Sequence, residues 1–312
     1  MDSDRQLEEP AAPRSRVERV RQRAAALRER GRELAERAQA ERARHSSVDA
    51  AFQMFDRDGD VGGGIIAGAI AYRLFIWLLP LALVLVAGLG VASDANHESP
   101  EQAARSIGLS ALISSSVSAA ADSSARWYAL LIGIPILIWA TRSLLRILIG
   151  AHRLVWTDVR AKAPRPTLVA ACRLLALLLA FSVASGVAAF VRSRSPIAFG
   201  VPVTLLTMLP YAGLWLLISL RLPHRDAPWL ALLPGALLFG LGLEVLHFVG
   251  AYILAPLAIS KRGTYGALGL AAGILFGLFL ISRLIVGAAV MNATLWERNA
   301  GAAEGQPGSP LR

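Results

Sequence analysis

A few ionisable residues lie inside stretches of sequence that are otherwise apolar. An unpaired charge at the centre of a bilayer costs about 2.5–3.5 kcal/mol on insertion scales, so such residues usually face other helices, a water-filled cavity or the interface. A cluster of them could bind the polar part of a charged or amphipathic solute. The candidates for a polar cavity of this kind are Arg73, Arg142, Glu244, His247 and Arg283.

Glu244 is the only carboxylate within any of these apolar stretches. We expect it to pair with Arg73 or with another intramembrane arginine and to line the cavity. The alternative is a buried ion pair that only sets the register of two helices. The sequence leaves both roles open.

The arginines differ in how readily they can reach lipid headgroups. Arg73 lies about 13 Å into its apolar stretch at the rise of an α-helix, which is too deep for easy snorkelling. Arg142 and Arg146 are four residues apart and share one helix face, and we expect Arg146 to snorkel to the interface. Arg283 lies toward the inner end of the last apolar stretch and can also reach the interface.

Six apolar stretches are each long enough to cross a hydrocarbon core, which takes about 20 helical residues. Mean hydropathy is +0.51 and 55% of the 312 residues are hydrophobic, which is typical of a membrane protein and not of a soluble globule. We therefore predict an all-α, polytopic membrane protein with six transmembrane helices. The predicted spans are residues 62–92, 127–149, 168–191, 199–220, 229–259 and 265–296.

The chain outside the six-helix domain, residues 62–298, is more polar. Residues 1–47 are rich in Arg, Glu, Ala and Gln, which predicts a charged cytoplasmic helix, either solvated on lipid or paired through a weak heptad seam. Residues 48–61 are predicted to form an interfacial helix and turn, and residues 100–122 a short amphipathic helix at the outer surface. Residues 299–312 are predicted to be a disordered tail.

Three acidic residues, Asp56, Asp58 and Asp60, alternate as the first ligands of a calcium loop do. However, Val61 stands where such a loop needs glycine, and Ala67 stands where it needs its closing glutamate. We therefore interpret this run as a solvated turn ahead of the first span.

Several glycines and prolines lie within the predicted spans. Glycines at four-residue spacing are typical of close helix packing, and prolines inside spans free backbone carbonyls, as in the broken helices around transporter sites. The glycines are Gly64, Gly68, Gly269, Gly273 and Gly277, and the prolines are Pro80, Pro135, Pro210 and Pro234.

No pattern for catalysis or metal binding is visible in the sequence. The five histidines are scattered, and there is neither a phosphate-binding loop nor a nucleophile elbow. The charged N-terminal segment has no aromatic residue on which a base could stack. We expect no enzymatic activity, no metal or cofactor and no specific nucleic acid, and we expect membrane lipids as partners.

Lysine and arginine are concentrated in the N-terminal segment and in the loop after the second span, which carries four, while the loop after the fourth span and each of the other loops carry two. Since such residues favour the cytoplasmic side, both termini are predicted to face the cytoplasm.

Several stretches together resemble the YihY/BrkB family of bacterial inner-membrane proteins, over roughly residues 48–298. The last predicted span departs from the family pattern, because Val290 stands where the family often has a glutamate. The stretches that carry the resemblance are Ala67-Gly68-Ala69-Ile70-Ala71-Tyr72 with Leu79-Pro80-Leu81, Trp139-Ala140-Thr141-Arg142-Ser143-Leu144 with His152-Arg153-Leu154-Val155-Trp156, Leu233-Pro234-Gly235-Ala236, and Tyr265-Gly266-Ala267-Leu268-Gly269.

The resemblance implies a six-helix, permease-like protein of the plasma (inner) membrane that moves a lipid or another amphipathic solute. The alternative is a membrane scaffold, or a partner of an envelope assembly, that uses the N-terminal helix for docking. A homo-oligomer or an envelope protein partner fits either role. Some family members carry a ribonuclease label, against which the missing metal-site pattern argues here.

Overall fold

The computed structural model describes residues 23, 25–30, 32, 45–96, 123–157, 165–194, 200–250 and 262–304. These residues form helices and contain no β-strand, which confirms the predicted all-helical fold. The helices with described bounds are α1 (Ser46–Asp60), α2 (Gly63–Asn96), α3 (Ser123–Thr157), α4 (Leu168–Arg194), α5 (Gly200–Ser219), α6 (Trp229–Val249) and α7 (Arg262–Glu304).

Five helices are long and apolar enough to cross a membrane, which confirms a multi-pass membrane protein. The predicted fourth span forms α5, in which the described apolar portion is the shorter segment Leu206–Ser219. The five candidate spans are Gly63–Gly88, Trp127–Thr157, Leu168–Ala188, Trp229–Val249 and Ala271–Gly301.

The chain divides into two compact units, residues 1–53 and 54–312. In the smaller unit, residues 25–30 and the first turns of α1 are helical, and Gln53 Nε2 donates to Asp49 Oδ2 at 2.9 Å. The larger unit contains the end of α1 and the helices α2 to α7.

The acidic run ahead of α2 is helical, so its interpretation as a solvated turn is wrong. Asp56, Asp58 and Asp60 belong to α1, and the chain turns only at Gly62, where φ is +67°. Glycine suits this position because a side chain would be strained in the left-handed region. The prediction overlooked that Asp58 has a cationic partner elsewhere in the chain.

Other predictions concern segments that the described residues cover only in part. The last helix continues to Glu304, so residues 299–304 are helical and not part of a disordered tail. The amphipathic helix predicted for residues 100–122 and the end of the span predicted for 229–259 lie outside the described residues.

The bundle is built around contacts of α2 with α3 and α7, and of α6 with α5 and α7, while α4 lies against α3 and α5. Fully buried side chains from these helices fill its interior. The largest of them are Ile70, Leu144, Val155, Trp156, Leu232 and Val286.

The glycines that allow close helix contact are not the ones that the spacing predicted. A methyl group placed on Gly64, Gly68, Gly273 or Gly277 would meet no atom within 4 Å. Close approach occurs instead at other glycines, because four-residue spacing defines a face without showing that the face meets a neighbour. These are Gly133 against Val84, Gly235 against Ala288, Gly240 against Met208 and Gly242 against Leu284.

Candidate functional site

An open groove of about 330 Å³ lies between α2 and α3. Its polar and charged residues are Arg73, Arg146 and Ser143, and the other residues of its lining are apolar or glycine. The residues that line it are Ile66, Ala69, Arg73, Ser143, Arg146, Ile147, Gly150, Ala151 and Leu154.

Helical periodicity explains why these residues share a surface. Ile66, Ala69 and Arg73 follow i, i+3, i+7 spacing on α2, and the α3 lining repeats in the same way from Ser143 to Leu154. Ala69, Gly150 and Ala151 have small or no side chains, which leaves space between the two helices. Arg73 and Arg146 therefore lie beside the space that these small residues leave.

The two groove arginines carry charge that no described carboxylate compensates within 4 Å. Arg73 is half-buried, and its Cζ lies 5.9 Å from the ring centroid of Tyr72. Arg146 is exposed. Because an uncompensated arginine at the bilayer centre costs about 2.5–3.5 kcal/mol, this pair favours contact with an anion or with the membrane boundary.

The length of α3 separates the groove from two exposed aromatic rings. Trp127 and Tyr128, at one end of the helix, are 64% and 66% exposed, as expected for rings in an interfacial belt. Arg146 lies nineteen residues further along, which corresponds to roughly 28 Å of helix and so to about the thickness of a hydrocarbon core.

A cluster of ion pairs lies beyond the groove, at the end of the bundle where α2 begins. Arg283 donates to both oxygens of Asp58, at 3.0 and 2.9 Å. Arg57 Nη2 lies 3.1 Å from Glu297 Oε1, and Arg57 Nε donates to the carbonyl of Val155 at 3.1 Å. These contacts connect the last turns of α1 to α3 and α7.

The two groove arginines lie at similar distances from this ion-pair cluster, one measured along α2 and the other along α3. Arg73 is ten residues from Gly63, whose Cα faces the Asp58–Arg283 pair, and this is about 15 Å of helix. Arg146 is nine residues from Val155, or about 14 Å. The two guanidinium groups therefore belong to one layer of the bundle.

The five residues that the sequence proposed for one cavity do not all line this groove. Only Arg73 lines the groove, and it forms no ion pair with Glu244. Arg142 is exposed and donates from Nη2 to the carbonyl of Pro166 at 3.0 Å, while Arg283 pairs with Asp58.

Glu244 and His247 lie one turn apart on α6 and have different surroundings. Glu244 is 6% exposed and His247 is an exposed residue, and each has an interaction partner of its own. Neither residue lines the groove between α2 and α3.

One polar contact, between Trp77 and Thr141, connects the two helices around the groove. Trp77 Nε1 on α2 donates to Thr141 Oγ1 on α3 at 2.9 Å, and Thr141 in turn donates to the carbonyl of Leu137 at 2.7 Å. Thr141 is fully buried, so these hydrogen bonds satisfy its hydroxyl group. The hydrogen bond from Trp77 to Thr141 joins the two groove helices directly.

Asn292 of α7 joins the proline-containing turn of α6. Its Oδ1 accepts a hydrogen bond from Gly235 N at 2.7 Å, and its Nδ2 donates to the carbonyl of Leu232 at 3.1 Å. These two hydrogen bonds lie on either side of Pro234, which has no N–H to donate. We call this arrangement the α6–α7 clasp.

Sequence analysis missed Asp58 as an ionic partner and Ser143 as a groove residue, and it read Arg146 only as a snorkelling side chain. A usable signal was present for Ser143 and Arg146, which lie three residues apart on one face. No local signal links Asp58 to Arg283, because 225 residues separate them.

The family model described as virulence factor BrkB matches residues 54–310. The chain belongs to the virulence factor BrkB family. The match begins at the residue where the larger unit begins, and it includes the groove, the ion-pair cluster and the α6–α7 clasp. No curated protein matches the chain, and no solved structure matches it.

Membership of the BrkB family, together with five candidate spans, establishes an integral, multi-pass membrane protein. The groove with its two arginines is then an element of a BrkB-family membrane domain. Its walls come from helices that a bilayer would surround.

Proposed function

We propose that this BrkB-family protein is a non-enzymatic transporter or permease of the plasma (inner) membrane that moves a lipid or another amphipathic solute. The observation that carries the proposal is the open groove between α2 and α3. It offers two guanidinium groups and a hydroxyl beside apolar walls, which is the combination that an amphipathic molecule requires.

Prolines inside four of the helices support movement of such a solute. Each proline removes a backbone hydrogen bond and weakens its helix locally, so that helix segments can bend relative to one another. Broken or bent helices often surround transporter sites. The prolines lie at Pro80 in α2, Pro135 in α3, Pro210 in α5 and Pro234 in α6.

In the proposed topology, α5 is a span in addition to the five candidate spans, which makes six. Both termini lie on the cytoplasmic side. The distribution of Lys and Arg between loops supports this orientation. In that orientation the ion-pair cluster is cytoplasmic and the groove opens at the inner leaflet. A cysteine placed at Ser309 in a Cys172→Ser background should react with an impermeant maleimide only after the cells are broken. Labelling of intact cells would reverse the orientation.

Reconstitution tests the transport function directly. Purified protein in liposomes should accelerate exchange of fluorescent phospholipids between leaflets, measured by quenching of the outer leaflet with dithionite, relative to protein-free liposomes. Exchange no faster than in protein-free liposomes, for every lipid headgroup tried, would contradict transport and favour a scaffold that partners an envelope assembly.

A further inference from the structure

We infer that the groove between α2 and α3 binds the phosphate of an anionic phospholipid, through Arg73, Arg146 and Ser143. This inference rests on the proposed function, because it names the substrate class of the same groove. The occupant is a membrane lipid whose headgroup enters from the inner leaflet.

Charge complementarity is the first argument. Two guanidinium groups line one groove, and no carboxylate of the described residues lies within 4 Å of either. Two other arginines of the larger unit have carboxylate partners, since Arg283 pairs with Asp58 and Arg57 pairs with Glu297. Arg73 and Arg146 thus lack the anionic partner that Arg283 and Arg57 have, and a phosphate group would supply one.

The donor geometry of the lining fits a phosphate group. Guanidinium groups present planar pairs of N–H donors that match two phosphate oxygens, and a serine hydroxyl can donate to a third. Ser143 and Arg146 lie on the same face of α3, and Arg73 approaches from α2. Donors from two helices would therefore surround one anion.

The level of the groove agrees with a lipid headgroup and not with a solute in the bilayer centre. Arg146 lies about one hydrocarbon thickness from the exposed Trp127 and Tyr128, and so at the height where phospholipid phosphates reside. Basic pockets between transmembrane helices on the cytoplasmic side are known to suit anionic headgroups.

The acyl chains would leave the groove along apolar helix surface. On α3 the residues about two to four turns from Arg146 toward the aromatic end include exposed Trp139, Ile136 and Ile132. Such side chains contact hydrocarbon without loss, because lipid tails are as apolar as they are. The headgroup would thus contact basic side chains, and the acyl chains would contact apolar side chains.

The lining also predicts which headgroup is preferred. A zwitterionic lipid such as phosphatidylethanolamine brings an ammonium that needs an acceptor, and the groove lining contains no carboxylate. Next to two arginines that ammonium would be repelled. Phosphatidylglycerol, with a phosphodiester and hydroxyl groups, has no such conflict.

Binding can be measured independently of transport. Protein purified from mixed micelles with equimolar phosphatidylglycerol and phosphatidylethanolamine is analysed by native mass spectrometry for retained lipid. Wild type should retain phosphatidylglycerol in excess, and Arg73→Gln and Arg146→Gln should each weaken retention about tenfold or more, as loss of a charge-assisted hydrogen bond predicts. Arg146→Lys should retain an intermediate amount because it keeps the charge but loses the paired donors.

Arg173→Gln is the matched control, since Arg173 is an exposed arginine on α4 outside the groove. It should retain phosphatidylglycerol as wild type does. In the unsubstituted protein, a photoactivatable phosphatidylglycerol should label peptides that contain residues 66–73 or 143–154. This labelling does not depend on whether any variant folds.

Several outcomes would overturn the headgroup assignment. Equal retention of both lipids, labelling confined to α4 or α6, or retention unchanged by both groove substitutions would each do so. Displacement of the lipid by millimolar inorganic phosphate would assign the site to a free anion instead. Retention at the groove without any lipid exchange would support the site and refute transport, whereas exchange with unchanged retention would refute the site and leave transport standing.

Discussion

Asn292 on α7 accepts a hydrogen bond from the backbone N–H of Gly235 on α6, with 2.7 Å between Oδ1 and N. The same amide donates to the carbonyl of Leu232 at 3.1 Å. One side chain thus satisfies two backbone groups in the turn that contains Pro234, within a region where neither water nor lipid would do so. The crossing of α6 and α7 depends on this amide.

Replacing Asn292 by alanine should destabilise the protein. Two buried hydrogen bonds between α7 and the backbone of α6 would be lost, and a hydrogen bond typically contributes about 0.5–1.5 kcal/mol. The midpoint of thermal unfolding in detergent should fall by several degrees. Asn299→Ala, which alters an exposed asparagine on the same helix, should leave the midpoint unchanged. Equal midpoints for wild type and Asn292→Ala would show that the clasp is energetically unimportant.

Replacing Gly235 by alanine should also weaken the crossing of α6 and α7. The added Cβ would lie 2.3 Å from the carbonyl oxygen of Ala288 and 2.6 Å from the amide of Asn292, so the helices would have to separate. Gly273→Ala is the control, because its Cβ would meet no atom within 4 Å and alanine is the better helix former. We expect loss of folded protein for the first variant alone, measured as the monodisperse fraction after heating. A Gly235→Ala protein as heat-resistant as Gly273→Ala would contradict the close approach.

The Asp58–Arg283 pair should show a measurable coupling energy. Both side chains are partly solvated, with 22% and 35% exposed, so we expect coupling on the order of 1 kcal/mol and not the larger value of a buried pair. A double-mutant cycle with Asp58→Asn and Arg283→Gln measures it through the free energy of unfolding. Coupling should decrease in high salt, because exposed charges are screened. Additive single-variant effects at low salt would mean that the pair contributes nothing.

Local sequence patterns predicted the positions of the helices because long apolar runs need little context. The described bounds of α4, α5 and the start of α2 lie within a few residues of the predicted spans, whereas α3 and α7 extend further at their polar ends. Those ends are stabilised by contacts such as Arg57 with Val155 and Glu297, which no periodicity reveals.

The candidate site was less predictable, since it depends on which faces meet. Arg73 was recognised from its charge within an apolar run, yet its neighbour in the groove is Arg146 and not Glu244. Contacts between residues 57 to 225 positions apart, such as Asn292 with Gly235 and Arg283 with Asp58, follow from helix packing alone. Gly64 and Gly273 have the spacing of close-packing glycines, yet no neighbouring atom approaches them, so spacing alone does not show which faces are in contact.

The rate of phospholipid exchange in proteoliposomes that contain the double variant Arg73→Gln/Arg146→Gln tests the central claim most directly. If the groove is the route for anionic phospholipids, the rate for fluorescent phosphatidylglycerol should fall to that of protein-free liposomes, while Arg173→Gln keeps the wild-type rate. A folded double variant that exchanges phosphatidylglycerol as fast as wild type would contradict the account.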